Sequence, residues 1–486
     1  LLFNEPKYKD WLENATFDNC KLNRKEFGVF LANYLSGEQD GFVLNLNGAW
    51  GTGKTEFCKR LYSHLITQNH PTIYINSWES DFSREPLTVV SSELLRQMET
   101  LHSDIIDLDK TEKIKLILGK TLKSMAVGIA GGISYKLIGE SSAGAAIAQQ
   151  LVQQDVEPKT FIENLASNYS EQVESIQLIR ESLTELANSL ESDINAKLPV
   201  VVIIDELDRC RPNYAIEMLE VIKHFFTTPK FVFIVASDTE QLCESIKNIY
   251  GTKFDSNQYL KRFFNRTATL PLPNIKEYIN SIDFEYRSTT GLKLYPNNMH
   301  DERLFIIEVL SVFSSAFDLK IRDIDQLFSK VISCLRTANT YQDSDEVSQL
   351  INLPILVCGL IEYEKNMDSY RTRTNRNESR PKFINENVNY QLELPINTLI
   401  NMCIYSITET EFTEDSEFGM NRKDVRIPVG QELDYNDWEQ NGTSSVIRNV
   451  LGEIRNLHNN AIFDNKRKIW QWSDYKHVIE LAGYIS

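Results

Sequence analysis

The chain has 486 residues, 42% of them hydrophobic, which is enough apolar material for two or three cored domains and excludes a disordered protein. Its 51 Lys and Arg against 68 Asp and Glu leave a formal charge of −17, a field that repels phosphate backbones and disfavours general nucleic-acid binding. The seven cysteines, at 20, 58, 210, 243, 334, 358 and 403, form no Cys-x-x-Cys pair and have no histidines at metal-ligand spacing, so a reduced cytoplasmic chain without structural zinc is expected.

The opening residues, with Lys7, Lys9 and Asp10, show no signal-peptide pattern. Residues 1–40 read as a polar lead-in, in which Phe27, Phe30, Leu31, Tyr34 and Leu35 predict an amphipathic helix. The texture then changes. Gly41 to Asn47 is a β-like run, Gly48 to Thr55 spells Gly-Ala-Trp-Gly-Thr-Gly-Lys-Thr, and Phe57, Leu61 and Leu65 predict a helix beginning near Glu56. Strand, glycine loop, helix is the order a phosphate-binding unit requires. The glycines let successive backbone N–H groups of Gly48, Ala49, Trp50, Gly51, Thr52 and Gly53 face one anion, and the following helix turns its positive end toward it. Lys54 is expected to reach the β- and γ-phosphates and the Thr55 hydroxyl to ligate Mg²⁺, with Glu56 counted among the nucleotide-contacting residues.

A second strand is predicted at Thr72 to Trp78, followed by a long stretch without strand signal up to Val200. Within it Leu87 to Leu101 reads as helical, and Phe161 to Leu190 has apolar residues at alternating steps of three and four, which predicts a long helix. Between these, residues 121–152 are rich in Gly and Ala, and Gly128-x-x-x-Gly132 has the spacing of close-packed helices; a helical hairpin is expected, with contact to lipid or another subunit as the alternative. The apolar run Ser124 to Tyr135, bounded by Lys123 and Lys136, is too short to span a bilayer, so membrane association is disfavoured.

Val200 to Ile204 is a continuous β-branched run, as in strands buried on both faces of a parallel sheet, and it ends in Asp205 and Glu206. Such a strand delivers Asp205 beside the P-loop hydroxyl to hold Mg²⁺, and sets Glu206 to orient or deprotonate an attacking water. Phe231 to Ala236 predicts a further strand and Thr267 to Leu272 a fifth. After Pro273 the pattern is mainly helical, with an apolar stripe from Ile321 to Leu335. Arg371, Arg373, Arg376 and Arg380 fall in an Asn/Ser/Thr-rich stretch that reads as a solvated loop, and residues 390–486 read as a further folded module. ATP is favoured over GTP, because no Asn-Lys-x-Asp base-reading motif appears in the expected region.

Gly48 to Thr55, Asn76-Ser77-Trp78, Ile204-Asp-Glu-Leu-Asp-Arg-Cys210, Val235-Ala-Ser-Asp238 and Lys320-Ile-Arg-Asp-Ile324 together resemble the KAP family of P-loop NTPases, relatives of the AAA+ and STAND ATPases, over roughly residues 15–340. The resemblance implies an α/β fold: a P-loop parallel sheet flanked by helices, a long helical insertion between the two motifs and a mainly helical C-terminal region. The expected organisation is a lead-in at 1–40, an NTPase core at 41–82 and 196–275, an insertion at 83–195, a helical lid at 276–360 and a C-terminal module at 361–486. It further implies that Asp238, with Ser237 competing, senses the γ-phosphate, that Arg322 on the lid contacts nucleotide, and that Arg262 or Arg266 serves a neighbouring subunit as an arginine finger. Asp208 and Arg209 are expected to pair with each other. The function implied is an Mg-dependent ATPase, with ATP and Mg²⁺ as cofactors, acting as an oligomerising switch or motor in bacterial defence against phage or plasmids with a protein partner. A nucleotide-gated scaffold with little turnover is the alternative.

Overall fold

The computed structural model describes residues 3–101, 176–282, 292–415, 421–426 and 445–484, apart from a few short gaps within those ranges. Residues 121–152, with the Gly128 and Gly132 spacing, and the first part of the long helix predicted from Phe161 lie outside the described residues. The chain divides into two compact units, Leu1–Leu272 and Pro273–Ser486.

The first unit is built on five parallel strands, β1 (Phe42–Asn47), β2 (Thr72–Asn76), β3 (Val200–Asp205), β4 (Phe231–Ser237) and β5 (Arg266–Thr269), in the order β2-β3-β4-β1-β5. Every residue of β3 and β4 is buried, which explains why their sequences are unbroken apolar runs rather than alternating ones. Helices cover the sheet, among them α1 (Lys25–Ser36), α2 (Lys54–Thr67), α3 (Pro86–Leu101), α4 (Pro212–Phe225) and α5 (Thr239–Tyr250). α3 packs on β2 and α4, and the helical stretch 176–194 buries Leu183, Ala187 and Leu190 in the same core. The described part of the segment between the two motifs is therefore helical and partly built into the sheet's own core. The lead-in is also anchored: Tyr8 and Trp11 stack at 4.0 Å and meet Tyr62 of α2 and Tyr74 of β2 edge-on.

Parallel pairing puts all carboxyl ends on one edge. Asn47 lies level with Ser237, and Asn76 with Asp205. That edge is where α/β sheets place their ligands. The fifth strand is shorter than the predicted Thr267 to Leu272, ending at Thr269; Pro271 and Pro273 have no N–H to continue a ladder, and Leu272 is exposed.

The second unit is mostly helical around a small parallel sheet, β6 (Lys293–Tyr295), β7 (Ser348–Asn352) and β12 (Arg467–Ile469), in the order β12-β7-β6; two antiparallel pairs, β8 (Asn389–Tyr390) with β9 (Leu394–Pro395) and β10 (Thr410–Asp415) with β11 (Asn421–Arg426), lie between β7 and β12 in sequence. α6 (Ile321–Asp345) contacts α7 (Leu353–Glu364) and α8 (Trp472–Gly483). α7 is buried along nearly its whole length, as a helix apolar all round must be. Its N-terminus is capped by the side chain of Asn352, which accepts from the Ile355 N–H, and the Asn352 backbone N–H donates to the Tyr475 hydroxyl at 2.6 Å. Among the described residues no helix is long and apolar enough to cross a membrane.

Candidate nucleotide site

The loop between β1 and α2 takes the shape its glycines permit. Gly51 (φ 76°) and Gly53 (φ 83°) are left-handed, a conformation costly for residues with a Cβ. At Gly53 a Cβ would also stand 3.0 Å from Leu22 Cδ1 and 3.4 Å from an Arg24 guanidinium nitrogen. Arg24 is the loop's outer brace: buried, it donates to the carbonyls of Thr52 and Pro271, each at 2.8 Å, and burial pulls its guanidinium down to about 10. The Thr52 hydroxyl closes the loop on Ala49 O at 2.7 Å. Lys54, in the first turn of α2, donates to Gly48 O and lies 3.7 Å from Asp208 Oδ2.

Beside this loop β3 delivers its acids. Asp205 is fully buried, and burial pushes its carboxyl up to about 6; the Tyr74 hydroxyl (2.9 Å), the Glu206 amide (2.8 Å) and the Thr55 hydroxyl offset part of that cost. Glu206 follows in left-handed backbone (φ 61°), turning the chain sharply at the edge. Its Oε1 accepts from the Thr55 hydroxyl at 3.3 Å and pairs with Arg209 Nη1 at 2.8 Å. The Arg209 guanidinium also lies over the exposed Trp78 ring, 5.9 Å from its centroid. Asp208 and Arg209 therefore do not pair with each other. The turn at 207–209 sends them apart, Asp208 inward to Lys54 and to the indole N–H of Trp50, Arg209 back to Glu206.

At the end of β4, Ser237 is buried and donates to Asn45 Oδ1 at 3.3 Å, whereas Asp238 faces the loop. Asp238 Oδ1 caps α5 by accepting from the Gln241 amide at 3.3 Å, and Oδ2 accepts the Trp50 amide at 3.0 Å.

Lys54, Thr55, Asp205, Glu206 and Asp238 thus converge on one edge of the sheet. Three other predicted residues of the first unit, Glu56, Arg262 and Arg266, do not join them. Glu56 turns outward to Lys59 and Arg60. Arg262 and Arg266 are exposed, and Arg266 opens β5 level with Leu44, well before the strand's carboxyl end. Arg322 is exposed in the first turn of α6, in the second unit. Arg24, Tyr74, Asp208 and the indole of Trp50 were missed as site-building groups, because closeness in the fold rather than any local motif gives them their partners.

The donors fit the expected ligands. Backbone amides at a helix N-terminus and a lysine suit phosphate oxygens, and a hydroxyl beside carboxylates is a hard-oxygen set suited to Mg²⁺. Fold and site together define a P-loop NTPase domain. The match to the KAP family P-loop domain covers residues 24–333, and the chain belongs to that family. It is also similar to the phage T7 exclusion protein of Escherichia coli (strain K12), 21% identical over 302 residues, which are 60% of this chain and 38% of that protein. The similarity therefore spans well under half of the relative's length.

Proposed function

We propose that the chain binds ATP with Mg²⁺ and hydrolyses it, as an oligomerising switch in defence against phage. The observation that carries this reading is the meeting of the P-loop and the end of β3: Thr55 touches Glu206, and Asp205 lies buried beside them. Bound Mg²⁺, held by Thr55 and Asp205, would neutralise charge on the transferred phosphoryl group. The loop amides and Lys54 orient the phosphates, and Glu206 orients or takes a proton from the attacking water. Asp238 ties the end of β4 to the loop through the Trp50 amide, which suits a residue that senses the phosphates. Arg262 and Arg266 are exposed, which suits fingers offered to a second copy, and the family resemblance makes Arg322 a candidate nucleotide contact.

Phage defence rests on the family membership and on the name of the relative. The test is ATP turnover per chain against protein concentration, with mass photometry on the same samples. Turnover should rise as larger species appear, by up to about 10³–10⁵ if a trans arginine completes the site, and Arg262→Ala or Arg266→Ala should abolish the rise. Turnover independent of assembly sinks the switch. One contact favours the scaffold alternative: Arg209 already holds the Glu206 carboxylate that hydrolysis needs. Tight ATP binding with negligible turnover at every concentration would select that reading.

A further inference from the structure

Asp208 is an anion placed where the phosphate-binding lysine must work. Its side chain is only 2% exposed, it lies 3.7 Å from Lys54 Nζ, and it accepts the indole N–H of Trp50 on the same oxygen. Trp50 is held at both of its N–H groups by carboxylates from two strand ends, the indole by Asp208 after β3 and the amide by Asp238 after β4. Yet Trp50 is 49% exposed at the mouth of the loop.

We propose that Asp208 is a built-in competitor for Lys54 that sets nucleotide affinity below what the loop alone would give, and that the Trp50 indole reports the outcome at the surface. This rests on the nucleotide-binding reading of the same site. A buried carboxylate depends on its cation and its hydrogen-bond donors. When Lys54 turns to phosphate, Asp208 keeps only the Trp50 N–H and gains a second anion as neighbour. Like charges a few ångströms apart in a partly buried site repel by several kT. The competition acts through Lys54, which reaches the β- and γ-phosphates, so it weighs more on ATP than on ADP. As Asp208 resettles, its hydrogen bond to the indole changes, and with it the emission of Trp50.

The full-length chain is titrated with MgATP and MgADP by calorimetry, and tryptophan emission is followed in parallel. Asp208→Asn keeps the shape and an acceptor for the indole but removes the charge; it should bind ATP roughly tenfold tighter, with a smaller gain for ADP. Trp50→Phe removes the indole donor and leaves Asp208 with Lys54 alone, so it should bind ATP several-fold more weakly and lose the emission change seen in the unaltered chain. Equal or weaker ATP binding by Asp208→Asn overturns the competition, and an emission change that persists in Trp50→Phe overturns the reporter. If Asp208→Asn does not fold, the affinity of Trp50→Phe decides the competition, since Asp208 is then left with Lys54 alone: ATP binding several-fold weaker than in the unaltered chain supports it, and equal or tighter binding overturns it. Absence of ATP binding in the unaltered chain, or equal binding by Lys54→Ala, defeats the nucleotide reading itself and is distinguishable from either result.

Discussion

Both units bury carboxylates next to cations, but they do so in opposite ways. In the second unit Glu362 and Arg373, 0% and 2% exposed, form a two-pronged pair at 2.6 and 2.8 Å. Glu362 also accepts from the Ser369 hydroxyl at 2.5 Å, and Arg373 donates its Nε to Ser379 O at 2.8 Å and stacks on Trp472. Nothing in that cluster is left for a ligand to take. In the first unit Lys54 stands 3.7 Å from Asp208, Glu206 divides one oxygen between Thr55 and Arg209, and Asp205 is buried with neutral donors and, among the described residues, no cation of its own. The contrast separates a buried ion pair that closes a core from charges kept available for chemistry.

The most direct way to break this contrast is at Lys54. If its ammonium is kept available for phosphate, Lys54→Ala should weaken ATP binding on the order of a hundredfold, because a charge-assisted contact to a doubly anionic group is lost. Calorimetry measures it, and unchanged affinity would remove the lysine from the site. Glu206→Gln tests the next residue. It keeps size and hydrogen bonding but cannot take a proton, so turnover should fall by about 10²–10⁴ while ATP affinity stays within a few-fold. Equal turnover in the two proteins would exclude Glu206 from the mechanism.

The second unit should respond in stability alone. Glu362→Ala strands the Arg373 guanidinium in a site it cannot leave, a change that costs about 3–5 kcal/mol. Chemical denaturation should show that loss while the affinity for ATP is unchanged. A loss under 1 kcal/mol would mean that the cluster relaxes or hydrates, and would erase the distinction drawn between the units.

The P-loop and the β3 carboxylates were legible because phosphate binding writes itself locally: two left-handed glycines, a lysine and a hydroxyl within eight residues, and an apolar run that can only be a doubly covered strand. What surrounds them was not legible. Arg24 lies 28 residues before the carbonyl it braces, and Trp50 lies 158 residues from the carboxylate that accepts its indole N–H. Arg373 sits in an arginine-rich polar stretch that reads as solvated. Arg371, Arg376 and Arg380 are exposed there as expected, but Arg373 is buried, and only the fold of α7 supplies the carboxylate that allows it. β12 is three residues long and pairs in parallel with a strand more than a hundred residues earlier, which leaves no local pattern to read.

Asp205 gives the most specific test. Burial pushes its carboxyl up to about 6, so the folded protein holds a proton that the unfolded chain has released near pH 4. As the pH rises from about 4 to about 6 the folded state must give up that proton into a buried site, and it loses about 2–3 kcal/mol relative to the unfolded chain. Above about 6 the loss is complete and stays constant. Asp205→Asn has no proton to lose, so without nucleotide it should gain on the unaltered protein across that window and hold a constant advantage at neutral pH. Denaturation midpoints at several pH values measure it. Addition of MgATP should reverse the order, because the buried carboxylate then has the cation it lacks and the amide does not hold one. A variant that is no more stable at neutral pH, or that MgATP stabilises as much as the unaltered protein, would mean that Asp205 is settled by its neutral donors. It would then resemble the closed pair in the second unit rather than a charge held ready for Mg²⁺.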